Sequence, residues 1–124
     1  LLINPNLLYA HYNLGNVLQI AARPNDAAKS YNAAIKIKPN FAEAHNNLGK
    51  ALARSGDSNG AVESFNEAIR LDPQYAGGHF NLGVVLVRLG KRQLGLQHLD
   101  RAVELAPSNS AFAAALAKIR ESAK

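Results

Sequence analysis

Helical spacing organises this chain. Ala44, Leu48, Ala51 and Leu52 share one apolar stripe, and Ala61, Val62, Phe65, Ala68 and Ile69 share a second. Residues three and four apart lie on one face of a helix, so each stripe marks an amphipathic segment. Gly56-Asp57 stands between the two, and Asp72-Pro73 follows the second. Glycine suits the left-handed position that ends a helix, aspartate caps the next, and a residue before proline leaves the helical region. Asn40, with Glu43 three residues later, reads as a capping box for the first segment.

The pattern recurs every 34 residues. Leu14-Gly15 returns as Leu48-Gly49 and Leu82-Gly83, and His11, Asn13 and Ala34 each recur twice at that step. Pro5, Pro39, Pro73 and Pro107 keep it as well. First helices are therefore predicted near 7–21, 41–55 and 75–89, and second helices near 24–38, 58–71 and 92–105. A two-helix unit cannot bury its apolar face alone, so the units must stack, and about three are needed for stability.

With its segments AHYNLGNVL, AHNNLGKAL and GHFNLGVVL as first helices, and AAKSYNAAIKIKP, AVESFNEAIRLDP and GLQHLDRAVELAP as second, the chain resembles the tetratricopeptide repeat family over about residues 4–107. The resemblance implies an all-α, right-handed superhelix with a concave ligand-binding face. It also implies a scaffold that holds peptides, helices or other proteins. On this reading residues 1–5 are the tail of a preceding repeat. Residues 6–39, 40–73 and 74–107 are three helix-turn-helix repeats, and 108–124 form a closing helix. Ser108 or Asn109 caps that helix, whose Phe112, Leu116 and Ile119 face the last repeat. Removing 108–124 is expected to lower solubility.

Two positions depart from the pattern. Ala22-Arg23-Pro24 stands where the other repeats have Gly56-Asp57 and Gly90-Lys91, so a turn of different shape is expected. Gly95 replaces the alanine found at Ala27 and Ala61. A helical glycine costs ~1 kcal/mol against alanine, so Gly95→Ala is expected to raise the melting temperature.

In the implied architecture the first helices line the concave face. The candidate peptide-binding residues there are Asn13, Asn47, Asn81, Asn16, Lys50, Arg54, Arg88, Tyr12 and Phe80, with Tyr9, Gln19, Glu43, Asn46 and Val84 beside them. An amide offers both a donor and an acceptor, which matches a peptide unit. The Asn13/Asn47/Asn81 column resembles the asparagine ladder of the O-linked N-acetylglucosamine transferase superhelix. It is equally a column that orients neighbouring side chains. Lys50, Arg54 and Arg88 form a basic cluster suited to an acidic ligand, or a solvated face partly neutralised by Glu43. Asn47→Ala and Arg54→Ala are expected to weaken peptide binding without unfolding the chain. The carboxylate clamp of chaperone-binding members is not reproduced, because its basic positions fall on Tyr12, Gly77 and Asn81.

Composition removes several other classes. Hydrophobic residues make up 48% and charged residues 19%, a globular balance. There is no cysteine, which excludes disulfides and thiolate metal sites. No apolar run approaches the ~20 residues of a membrane span, and no signal peptide is legible, so the cytoplasm is the default compartment. The formal net charge of +5 is spread over both helix sets: Lys29, Lys36, Lys38, Arg70 and Arg101 belong to the second helices. That scatter argues against nucleic acid as partner. His11, His45 and His79 lie one repeat apart and do not converge on an ion, so no metal is expected. His98 is placed on the convex surface beside Asp100 and Arg101. The serines fall in turns, at caps or on helix surfaces, and Gly77-Gly78 lacks the Gly-Lys-Ser/Thr ending of a phosphate loop. No catalysis and no cofactor are expected. A protein or extended peptide is the leading partner, with a second copy of the chain, paired through exposed Leu1, Leu2 and Ile3, as the competing one.

Overall fold

In the computed structural model, which describes residues 5–122, the chain folds into helices α1 (Pro5–Ile20), α2 (Pro24–Ile37), α3 (Ala42–Arg54), α4 (Ser58–Leu71), α5 (Ala76–Arg88), α6 (Arg92–Leu105) and α7 (Ser110–Glu121). No strand is present among the described residues. Leu1, Leu2 and Ile3 lie outside them. Helices α1–α2, α3–α4 and α5–α6 pair as hairpins, and α2–α3, α4–α5 and α6–α7 form the joints between successive units. The first helices also touch one another, α1 with α3 and α3 with α5. The result is an all-α solenoid with a core that runs from joint to joint.

The glycine inside each first helix is explained by its hairpin partner. A Cβ on Gly15 would lie 2.5 Å from the Tyr31 ring, and one on Gly49 would lie 2.5 Å from the Phe65 ring. Both rings are almost completely buried. The missing side chain lets the ring lie on the helix backbone, and that close packing offsets the weak helix propensity of glycine. In the third hairpin Gly83 faces Leu99 and the Gly95 carbonyl. A Cβ on Gly95 would lie 2.8 Å from the Gly83 carbonyl oxygen and 3.0 Å from the Val87 nitrogen. Two backbones meet here, and neither can step aside. The expectation that Gly95→Ala stabilises the chain is therefore overturned: propensity favours alanine, but packing forbids it.

The first turn also differs from expectation. Ala22 adopts φ 58°, the left-handed conformation that Gly56 (φ 94°) and Gly90 (φ 84°) adopt in the other hairpins. Arg23 N donates to Leu18 O at 2.9 Å, as Asp57 N does to Leu52 O at 2.8 Å and Lys91 N to Leu86 O at 2.9 Å. The turn keeps its shape, and alanine carries the strain.

Caps are used selectively. Asp57 accepts from Gly60 N at 2.9 Å, and Asn109 accepts from Phe112 N at 3.1 Å. The capping box expected from Asn40 and Glu43 does not form: Phe41 holds the N-cap of α3, with no side-chain cap bond. Phe41 is buried, so the chain spends that position on the joint instead. At the far end Leu116 is buried, Phe112 stacks on Phe80 at 4.5 Å, and Arg120 pairs with Asp100 at 2.6 Å. These contacts dock α7 onto the third hairpin.

Candidate functional site

The first helices carry a hydrogen-bonded ladder along one face. Asn47 Nδ2 donates to the Tyr12 hydroxyl at 3.0 Å and to Asn16 Oδ1 at 3.2 Å. One repeat on, Asn81 Nδ2 donates to Asn46 Oδ1 at 3.1 Å. Tyr12 and Asn46 occupy the same column, so the two rungs are one device repeated. Asn47 and Asn81 each reach back to the preceding first helix. Asn16 also accepts from the Tyr31 hydroxyl at 2.5 Å, and burial raises that hydroxyl to about 12, so it remains a donor. Asn46 Nδ2 in turn donates to the Tyr75 hydroxyl at 3.0 Å. Asn13 is exposed on α1 and makes no side-chain hydrogen bond among the described residues.

Both amide N–H groups of Asn47, and one of the two of Asn81, are thus spent within the protein. Tyr12, half-buried between Tyr31 and Phe41, is tied into the same joint. What the column can still offer a ligand is the amide oxygen at Asn47, and the amide oxygen with one N–H at Asn81.

Past the ladder the groove turns basic. Lys50, Arg54, Phe80, Asn81, Val84 and Arg88 line a cleft of about 200 Å³ between α3 and α5. Lys50 and Arg88 are exposed, and neither belongs to an ion pair among the described residues. Glu43 forms no ion pair with any of the three cations among the described residues. Arg54 is partly engaged: its guanidinium donates to the Gln19 carbonyl at 2.8 Å and to Gln19 Oε1 at 2.9 Å. Phe80 lines the cleft while its ring stacks on Phe112.

A second, larger cavity of about 510 Å³ lies at the N-terminal ends of α1 and α3. Tyr9, Tyr12, Phe41 and Tyr75 contribute rings, Glu43 and Asp72 carboxylates, and Lys38 an ammonium. Its grouping was not legible in the sequence, because half of it comes from inter-repeat loops. Their residues fall between the periodic stripes.

Two histidines are structural partners of the turns. His45 Nε2 lies 2.8 Å from Pro39 O, and His79 Nε2 lies 3.0 Å from Pro73 O. His98 corrects its expected surface placement: it is half-buried and stacked on His79, with the two Nδ1 atoms 3.1 Å apart. A carbonyl only accepts, so His79 carries its proton on Nε2 and accepts on Nδ1, and His98 Nδ1 donates. The other repeats place Ser30 and Ser64 in that column. Among the described residues no group of three or more His, Asp or Glu is placed to hold a metal ion, and no helix is long and apolar enough to cross a membrane.

The family model described as "TPR repeat" matches residues 24–56 and 53–90, and the one described as "Tetratricopeptide repeat" matches 76–109. No curated protein sequence matches the chain. Among solved structures, "Crystal structure of MamA" superposes with a TM-score of 0.87 at 23% identity, over 96% of this chain and 70% of that one. "First TPR of Spaghetti (RPAP3) bound to HSP90 peptide SRMEEVD" superposes with a TM-score of 0.90 at 20% identity, over 97% of this chain and 95% of that one. At these identities the likeness is one of fold.

Proposed function

The chain belongs to the tetratricopeptide repeat family, and on that premise we propose that it is a binding module, without catalysis, whose concave face holds an extended acidic peptide. The observation that carries this reading is the cleft in which Lys50, Arg54 and Arg88 converge with Phe80 and Asn81, with no carboxylate paired to the cations among the described residues. Unpaired cations beside a ring and an amide suit a carboxylate-bearing chain. The amide oxygens of Asn47 and Asn81 would accept main-chain N–H groups. A protein of the same fold, the RPAP3 domain, holds the acidic HSP90 peptide SRMEEVD. This chain has Tyr12, Gly77 and Asn81 at the clamp's basic positions, so its acidic ligand would be a different one. The test is titration of a fluorescent peptide bearing an Asp-Glu-Asp tract. Lys50→Ala with Arg88→Ala should weaken binding at least tenfold, and unchanged affinity sinks the reading. An oligonucleotide that binds with a steep salt dependence would move the function to the nucleic-acid class.

Self-association is the second reading, and the outer side of α1 favours it. Leu14 is 48% and Val17 60% exposed, whereas their equivalents one repeat on, Leu48 and Ala51, are 7% and 0% exposed. Those two are covered by α2. The α1 surface is shaped for a helix of the same kind, which a second copy can supply. Light scattering across a concentration series decides this, and a strict monomer rejects it.

A further inference from the structure

We propose that the cavity framed by Tyr9, Tyr12, Phe41 and Tyr75 is a second site on the binding face, and that it takes a lysine- or arginine-type side chain of the same peptide. This extension rests on the peptide-binding reading above.

The rings converge on one space. Tyr9 meets Phe41 edge-on with centroids 6.1 Å apart, and Tyr12 lies tilted against Phe41 at 4.8 Å. Aromatic faces and hydroxyls around a half-open cavity of about 510 Å³ favour a cation with an apolar stem. The charges agree. Glu43 and Asp72 line the cavity, and neither belongs to an ion pair among the described residues. Among the described residues the Asp72 carboxylate accepts one hydrogen bond, a local turn bond from Gln74 N at 3.3 Å. The field is felt inside: burial first, and then the Glu43 carboxylate, raises the Tyr75 hydroxyl above its ordinary value. Against this stands one resident cation. Lys38 Nζ sits 5.3 Å from the centre of the Phe41 ring, so the lining already holds an ammonium against an aromatic face. It engages one ring of four and offsets one carboxylate of two.

The arrangement is particular to this joint. One repeat on, the columns of Tyr9, Tyr12 and Phe41 hold Glu43, Asn46 and Tyr75. General repeat packing therefore does not require the four rings.

The two sites have opposite sign and a fixed offset. Glu43 precedes Lys50 by two turns of α3 and Arg54 by three, ~10 and ~16 Å along the axis at 1.5 Å per residue. An extended peptide covers ~3.3–3.6 Å per residue. The preferred ligand therefore carries its cationic residue roughly three to five positions from its acidic tract.

The probe is a blocked peptide with one lysine four positions from an Asp-Glu-Asp tract, compared with the same peptide carrying norleucine for lysine. The norleucine swap should weaken binding about five- to tenfold, between the exposed and the fully desolvated limits for a cation on an aromatic face. That loss should shrink to under twofold in the Glu43→Gln, Asp72→Asn double variant. A swap without effect, while Lys50→Ala with Arg88→Ala still weakens binding at least tenfold, overturns this site and leaves the acidic-peptide reading intact. A second measurement is independent of the acidic tract. Nα-acetyl-lysine amide should shift the NMR ring signals of Tyr75 and Phe41, and acetyl-norleucine amide should not. Shifts seen when the acidic peptide fails to bind would uphold the cation site and reject the acidic reading. Equal or absent shifts from both compounds count against the site.

Discussion

The Asn47 amide nitrogen lies 3.0 Å from the Tyr12 hydroxyl and donates to it across the joint between the first two repeats. Asn81 does the same to Asn46 at 3.1 Å. A column that looks like a peptide ladder is thus also a clasp between repeats. Asn47→Ala should lower unfolding stability by about 1 kcal/mol, the net worth of a typical hydrogen bond, in addition to weakening the ligand. Asn13→Ala, which removes no side-chain hydrogen bond among the described residues, should leave urea unfolding unchanged. Equal midpoints for both variants would deny the clasp. Arg54→Ala carries a similar secondary cost through Gln19, which makes Lys50 and Arg88 the cleaner probes of binding.

Gly95→Ala should lower the melting temperature. Overpacking a tight contact costs about 1–3 kcal/mol, more than the ~1 kcal/mol that alanine gains in helix propensity. Thermal unfolding followed by circular dichroism decides it. A rise would mean that α5 and α6 part more readily than their facing carbonyls allow.

Ala22→Gly should raise the melting temperature. A left-handed alanine costs about 1–2 kcal/mol, and the extra unfolded-state freedom of glycine returns about 0.5–1 kcal/mol of that. The expected net gain is a fraction of a kcal/mol, read as a shift of one to a few degrees. Ala22→Val, which the same backbone rejects, should move it the other way.

Acid should destabilise the third hairpin through His98. Burial, and then the neighbouring His79 ring, hold His98 below the ordinary histidine value. The unfolded chain therefore takes up its proton first, near pH 6.5. Stability is full above that pH and is lost as pH falls through it, until the folded-state value is reached. His98→Ser restores the residue type of Ser30 and Ser64. It should flatten the dependence between pH 7.5 and 5.5. Parallel unfolding curves for variant and wild type would assign the acid sensitivity elsewhere.

Removal of residues 108–124 should expose Phe80 and the joint face that Leu116 covers, lowering both melting temperature and solubility. Sedimentation of the truncated chain checks this. A soluble and equally stable product would contradict the contribution of α7.

The sequence by itself determined the helices, their pairing and the repeat. Periodicity records which side of each segment turns inward, and Gly56, Gly90, Asp57 and Asn109 act within their own turns. Local chemistry was enough for them. The misjudged positions share a different physics. Gly95 looked like a weak helix residue until the Gly83 carbonyl stood opposite it. Ala22 looked like a different turn until the bond from Arg23 to Leu18 held it in the glycine conformation. The repeating column of Asn47 was legible, but its hydrogen bond to Tyr12 was not. His98 looked like a surface residue until His79 stacked on it, and the rings of Tyr9, Tyr12, Phe41 and Tyr75 were scattered along the chain until two loops brought them together. A helical period fixes direction to within a face. Which atom lies opposite, and whether a methyl fits there, depends on distances between helices that only the packed solenoid sets.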